Sequence, residues 1–248
     1  MKLCVLVPAY NCELYIPELV KRTHLPGEKD EILVVDDCSD DNSLDVANSL
    51  PRVFAVRNEV NRGYGATSQR LFQLALERDA DLVINIHGDL AHPPENIQIL
   101  LDYIMKEDCD IVVGARLLYL VNLVRGEGWT KLLDKQARYN MPLIRVFGHF
   151  WLTGFQNFCF GTKLHSFHEG MRACKREVVE WIVTQNNFTA WYEYDTELLV
   201  RAHRQGFNIA EVPVKPNYSV EKPPSAAPPF RYGVSVLRHA MRHLFTSK

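Results

Sequence analysis

Five short runs rich in aliphatic and β-branched residues, each followed by a stretch of helical period, dominate the first half of the chain. The runs are residues 3–7, 31–36, 53–57, 81–86 and 110–113. The stretches between them, residues 13–21, 42–49, 66–77 and 94–105, repeat apolar side chains at helical spacing, with Pro94 suited to a first helical turn. Strand and helix alternating at this spacing predict right-handed βαβ units on a mostly parallel, doubly wound, Rossmann-like α/β sheet. Ligands of such sheets sit beyond the carboxyl ends of the strands. Here those ends carry Pro8-Ala9-Tyr10-Asn11, Asp36-Asp37-Cys38-Ser39, His87-Gly88-Asp89 and Gly114-Ala115-Arg116, so polar chemistry collects along one edge.

The second half has a different texture. From 117 to 160 aromatic and basic residues mix on helical patterns that Gly126, Gly128, Pro142, Gly148 and Gly154 are expected to break, as in a lid or an acceptor-binding surface. Helices are predicted near 175–183 and over 195–203, then a strand over 208–214. Pro223, Pro224, Pro228 and Pro229 mark an extended linker, and residues 231–248 form a basic amphipathic segment with Val234, Leu237, Met241 and Leu244 on one face.

Several classes fall away on charge and hydropathy. With 28 Lys and Arg against 30 Asp and Glu, the net charge of -2 offers nothing to a polyanion, so no nucleic-acid partner is expected. The apolar start ends at Pro8, and Arg145, His149, Gln156 and Asn157 interrupt the most aromatic stretch, so no signal peptide or membrane span is expected. Six cysteines without C-x-x-C spacing read as buried thiols in a reducing cytoplasm.

The ordered set Val7-Pro8-Ala9-Tyr10-Asn11, Val34-Val35-Asp36-Asp37-Cys38-Ser39, Asn61-Arg62-Gly63-Tyr64-Gly65, His87-Gly88-Asp89-Leu90-Ala91-His92-Pro93-Pro94 and Gly114-Ala115-Arg116 resembles glycosyltransferase family 2. His168-Glu169-Gly170-Met171-Arg172, Glu193-Tyr194-Asp195-Thr196-Glu197 and Ile209-Ala210-Glu211-Val212-Pro213 are similar to later landmarks of that family. The likeness covers nearly the whole chain and is greatest to the dolichyl- and polyprenyl-phosphate mannose or glucose synthases and their prokaryotic relatives.

The resemblance implies a GT-A fold over residues 1–218, with a nucleotide-sugar-binding half at 1–116 and an acceptor-side half at 117–218, followed by the linker and amphipathic helix of 219–248. It implies that Pro8, Ala9 and Tyr10 line the base pocket and that Asp37 contacts the donor. Asp36 is divided between donor binding and turn capping. Gly65 and Gly88 are placed near the donor; Gly65 serves either a phosphate at the following helix N-terminus or the seating of that helix on the sheet. His87-Gly88-Asp89 stands where the family shows Asp-x-Asp, so Asp89 is the expected ligand of Mg²⁺ or Mn²⁺, with His87 either a second contact or a satisfied strand-end residue. Ala91 stands where several relatives have Gln.

On the acceptor side, Arg116 and Arg172 are expected near the diphosphate, and Asp195, with Glu169 in reserve, is the expected acceptor-activating carboxylate. Asp195 and Glu197 lie about 200 degrees apart on a helix, so one of them should face the site. A hydroxyl acceptor needs such a base, whereas a phosphate acceptor is already anionic. The expected activity is a metal-dependent, inverting transfer from a UDP- or GDP-sugar to a lipid phosphate such as polyprenyl phosphate. The alternatives are a glycan or small-molecule hydroxyl acceptor and a non-catalytic nucleotide-sugar-binding module. The expected location is cytoplasmic, with peripheral contact at the inner membrane face through the C-terminal helix and a homo-oligomer both left open.

Overall fold

The computed structural model describes residues 1–133, 142–185, 188–215, 217 and 235–238. Seven strands form one sheet: β1 (Leu3–Ala9), β2 (Glu31–Asp36), β3 (Val53–Arg57), β4 (Leu82–Asn85), β5 (Ile111–Ala115), β6 (Arg172–Lys175) and β7 (Ile209–Pro213), in the order β3-β2-β1-β4-β6-β5-β7. The helices are α1 (Ile16–Arg22), α2 (Ser43–Asn48), α3 (Tyr64–Glu77), α4 (Asn96–Lys106), α5 (Arg116–Glu127), α6 (Leu143–Phe160), α7 (Arg176–Thr184) and α8 (Tyr194–Gln205).

Period-two alternation sorts the strand side chains into two layers. Val5 and Val7 of β1 and Ile32 and Val34 of β2 meet Ile16 and Leu19 of α1 and Leu100 and Ile104 of α4. Cys4, Leu6, Leu33 and Val35 point the other way, onto Leu71 and Phe72 of α3, Val178 and Ile182 of α7 and Leu198 of α8. Burial pushes the Cys4 and Cys12 thiols up to about 12, in keeping with their reading as small hydrophobes.

Every run expected as a strand is a strand, to within a residue or two at its ends. Three expectations need correction. β6 was not foreseen: it runs antiparallel between β4 and β5, with Arg172 opposite both Asn85 and Val113. Four residues containing Arg and Lys have no periodicity to read, and only insertion between two buried strands makes them a strand. Arg116, expected to end a strand, opens α5. Finally, Gly126, Gly148 and Gly154 do not break their helices. An interior glycine costs only about 1 kcal/mol relative to alanine, which packing of α6 on its inner side overrides; Gly128 does cap α5, at φ 89.

The sheet draws on both expected halves of the chain, since β6 and β7 sit beside β4 and β5. The linker and most of the amphipathic segment lie outside the described residues. A helical turn at 235–238, with Val236 buried, is the described part of that segment.

Candidate active site

The sheet reverses its winding at β1 and β4: β2 and β3 lie on one side of β1, and β4 pairs on the other. A crevice at such a switch point is where a doubly wound fold binds its ligand. The chain bends tightly there. Of the five non-glycine residues with positive φ among the described residues, three, Asn11, Cys38 and Leu90, fall in the turns that follow β1, β2 and β4, a concentration of backbone strain typical of functional sites.

The turn after β2 is built by its own carboxylates. Asp36, fully buried, accepts from the Ser39 hydroxyl and lies 3.5 Å from the Arg57 guanidinium, contacts that cap the turn. The Asp37 carboxylate accepts from the Arg62 and Gly63 amides at 2.8 Å each and from Asn58 Nδ2 at 2.7 Å. Its own amide donates to Ala9 O at 2.8 Å. Asp37 therefore ties the β1 tip that carries Pro8, Ala9 and Tyr10 to the Asn-Arg-Gly-Tyr-Gly loop.

Gly65 serves the seating of its helix. A Cβ on it would lie 2.3 Å from Thr189 O, and its amide donates to Ala190 O at 2.8 Å. The amide that could have met a phosphate is spent on that carbonyl. Gly88 packs less tightly on the β1 end, where a Cβ would lie 3.2 Å from Pro8 O and 3.3 Å from Cys12 Sγ.

At the β4 tip, Asp89 is buried and accepts from the Ala91 amide at 3.0 Å. Asn217 closes over this turn, donating through its amide to Ala91 O at 3.2 Å and through Nδ2 to Leu90 O at 3.1 Å. Among the described residues no group of three His, Cys, Asp or Glu is gathered to hold a metal ion. What the turn offers is one hard carboxylate beside the switch point, and that fits Mg²⁺ or Mn²⁺ held by one or two carboxylates with substrate phosphates and water completing the shell. The His87 Nε2 is buried without a hydrogen-bond partner and faces Gly170, where a Cβ would come within 1.7 Å.

Beneath the crevice lies a polar node that joins the sheet to α3 and α8. Arg172 of β6 donates through Nη2 to Asp195 Oδ1 and, at 2.9 Å, to Glu169 O. Tyr64 donates to the same Asp195 oxygen at 2.9 Å, and Asn85 Nδ2 to Gly170 O at 2.7 Å. Burial works against the Arg172 charge, but Asp195, with Tyr64, Tyr194 and Cys174 adding to it, raises the guanidinium further; burial and then Asp195 hold the Tyr64 phenol protonated. Asp195, expected in the site, is thus committed to Arg172. Glu197, as the helical geometry required, faces elsewhere, accepting from the Thr189 amide at 2.8 Å and from Arg201.

A second pair, with its carboxylate buried and its arginine half-buried, stands at the start of α5. Arg116 Nε donates to Glu169 Oε2 at 2.7 Å, and the Arg116 amide reaches Oε1 at 3.4 Å. Burial raises the Glu169 carboxyl and Arg116 opposes it. His92 Nε2 lies 3.8 Å from the same carboxylate, and burial, with Arg116 and His87 adding to it, keeps that imidazole neutral. The rings of Tyr64, His87 and His92 follow one another with centroids 5.1 and 5.7 Å apart.

Sequence reasoning named Asp37, Asp89, Glu169, Arg172 and Asp195 but missed Tyr64, Asn85 and His92. Asn85 was visible as the polar end of an otherwise apolar strand, Leu-Val-Ile-Asn. Tyr192 joins this group of rings. It stacks on Tyr64 at 6.1 Å, and burial, then the charges of Asp89 and Asp37, raise its phenol.

The seven-stranded sheet with its flanking helices is the GT-A glycosyltransferase fold. Solved structures share it: glucosyl-3-phosphoglycerate synthase from Mycobacterium tuberculosis, crystallised with Mn²⁺, UDP and glucosyl-3-phosphoglycerate, superposes with a TM-score of 0.63 over 99% of this chain and 79% of that one, at 18% identity. Residues 4–183 match the model of glycosyl transferase family 2, and the chain belongs to that family and is a glycosyltransferase. It is 30% identical over 217 residues to the polyprenol monophosphomannose synthase of Mycolicibacterium smegmatis, covering 85% of this chain and 75% of that protein. It is 25% identical over 231 residues to the UDP-N-acetylglucosamine–dolichyl-phosphate N-acetylglucosaminyltransferase of Methanococcus voltae, covering 87% and 85% respectively.

Proposed function

We propose that the protein transfers a sugar, with inversion and with help from a divalent cation, from a nucleoside-diphosphate sugar to a polyprenyl phosphate. One observation carries the acceptor class: both carboxylates considered for a base role are bound up in ion pairs, Asp195 with Arg172 and Glu169 with Arg116. A hydroxyl acceptor would need one of them to take its proton, whereas a phosphate arrives as its own nucleophile. The names of the two relatives, both acting on polyprenyl or dolichyl phosphates, support the same class.

On this reading Asp37 and the β1 tip orient the base and ribose, and Asp89 holds the cation. A bound Mg²⁺ or Mn²⁺ would neutralise charge on the departing diphosphate. Arg116 and Arg172 supply fixed positive charge on the acceptor side, where it costs no reorganisation during transfer. Gly65 and Gly88 bring backbone segments close enough to exclude water from the crevice.

The test is transfer from a panel of UDP- and GDP-sugars to polyprenyl phosphate in detergent, with Mn²⁺ and with chelator, and with anomeric configuration read by NMR. Cation-dependent formation of an inverted lipid-linked product supports the reading. Transfer only to hydroxyl acceptors, or donor binding without any turnover, refutes it.

A further inference from the structure

β7 stands at one edge of the sheet, with β5 and β6 between it and β4. Four residues past its end the chain has nevertheless reached the turn that carries Asp89. On the way, Val214 is fully buried against Gly114, where a Cβ would lie 3.1 Å from the valine Cγ1. The Lys215 carbonyl accepts from Asn96 Nδ2 at 3.1 Å, and Asn96 is itself buried at the start of α4. The segment that delivers Asn217 is therefore fastened to β5 and to α4 before it arrives.

At the β4 tip one peptide unit is held from both sides. Its carbonyl, Leu90 O, accepts from Asn217 Nδ2 at 3.1 Å, and its N–H, that of Ala91, donates to Asp89 Oδ1 at 3.0 Å. The C=O and N–H of a trans peptide lie in one rigid plane and point in opposite directions. Asn217 thus acts on the carboxylate through the peptide between them. Aligned amides polarise one another, so donation to Leu90 O also makes the Ala91 N–H a stronger donor. The Asn217 amide pins the next peptide as well, donating to Ala91 O at 3.2 Å.

The turn does not keep this shape unaided. Leu90 stands at φ 57, a left-handed conformation that a side chain with a Cβ holds only where its surroundings enforce it. Asp89-Leu90-Ala91 contains neither the Gly nor the Asn that takes up such a conformation readily. Two bonds from one residue to the consecutive carbonyls of Leu90 and Ala91 supply the enforcement. Fixing one oxygen of the Asp89 carboxylate fixes its plane, and with it the direction of the other. Carboxylates that ligate metals are oriented in this way by hydrogen bonds from groups behind them.

We infer that Asn217 is a positioning residue of the cation site, aiming the Asp89 carboxylate at the divalent cation through the Leu90–Ala91 peptide. The role of Asp89 toward a cation rests on the function proposed above; the hold of Asn217 on the turn does not.

The experiment compares wild type, Asn217→Ala, Asn217→Leu and Asp89→Ala as full chains. Asn217→Ala removes the side-chain donor and keeps the backbone bond to Ala91 O. Asn217→Leu has nearly the size of the original side chain, so it separates lost hydrogen bonding from lost packing. In the protein without cation or nucleotide, both variants should move the Ala91 amide proton resonance upfield and speed its exchange with solvent. Mn²⁺ binding, read by paramagnetic resonance in the presence of UDP and in parallel of GDP, should weaken on the order of tenfold in both. Nucleotide binding in chelator should be unchanged.

An Ala91 amide that neither shifts nor exchanges faster overturns the inference. So does wild-type Mn²⁺ affinity in either Asn217 variant while Asp89→Ala loses it, and so does a lowered melting temperature with both of these readouts at their wild-type values, which would make Asn217 structural only. Mn²⁺ binding that survives Asp89→Ala instead refutes the cation assignment in the proposed function, and the inference falls with it.

Discussion

Arg172 and Asp195 come from a strand and a helix more than twenty positions apart and meet inside the protein, where the guanidinium of one donates to the carboxylate of the other. The pair bolts β6 to the first turn of α8, and Tyr64 adds α3 through the same oxygen. Truncating one partner strands the other charge, so Asp195→Ala should cost about 3–5 kcal/mol. Arg172→Met combined with Asp195→Leu should recover much of that loss. Urea unfolding of wild type and of the two variants measures both effects; a double variant less stable than Asp195→Ala, as additive losses require, would show that the pair does not act as a unit.

Asp89→Ala should abolish the part of nucleotide binding that depends on a divalent cation while leaving the fold intact. Calorimetric titration of UDP and GDP with and without Mn²⁺, on wild type and variant, checks it. Asp37→Ala should instead weaken nucleotide binding whether or not the cation is present, because it also frees the Arg62 and Gly63 amides. A cation effect that persists in Asp89→Ala would remove that residue from the metal site.

Gly170 lies so close to His87 that any side chain collides with the ring. Gly170→Ala should therefore destabilise by about 1–3 kcal/mol and shift the His87 ring resonances in an NMR spectrum. The companion Gly170→Ala, His87→Ala double variant should regain stability. If Gly170→Ala alone leaves both melting and spectrum unchanged, the packing described at the β4 tip is wrong.

Burial lowers the His168 imidazole to about 3 from its ordinary 6.5, with His149 and Arg116 contributing. Below 6.5 the unfolded chain takes up a proton that the folded chain refuses, so this contribution is fully present above that value and is lost as pH falls. His92, lowered for similar reasons, acts in the same direction. Glu169, raised by burial, acts oppositely, losing stability as pH rises past 4.5. His168→Gln should reduce the loss between about pH 7 and about pH 5 by roughly 2 kcal/mol. Denaturant midpoints at both pH values measure the difference.

The parallel part of the sheet was readable because each strand there is an apolar run bounded by turn residues, and each intervening helix keeps one apolar face. The tips that carry Asp37 and Asp89 followed from that frame with no further information. β6 could not be read, since Arg172-Ala-Cys-Lys shows neither alternation nor an apolar run and takes its conformation from β4 and β5. The site residues divide the same way. Carboxylates at strand ends announce themselves, but the commitment of Asp195 to Arg172 is a long-range contact that spacing does not encode.

The placement of β6 also orders events in time. During synthesis β4 and β5 leave the ribosome well before the strand that must enter between them, so each waits with a bare edge of backbone donors and acceptors. The sheet cannot zip in chain order, and its centre closes last. Hydrogen-exchange labelling during refolding should find the amides shared by β4, β6 and β5 protected after those of β1, β2 and β3. A nascent chain halted before Arg172 is the species of this protein most in need of a chaperone.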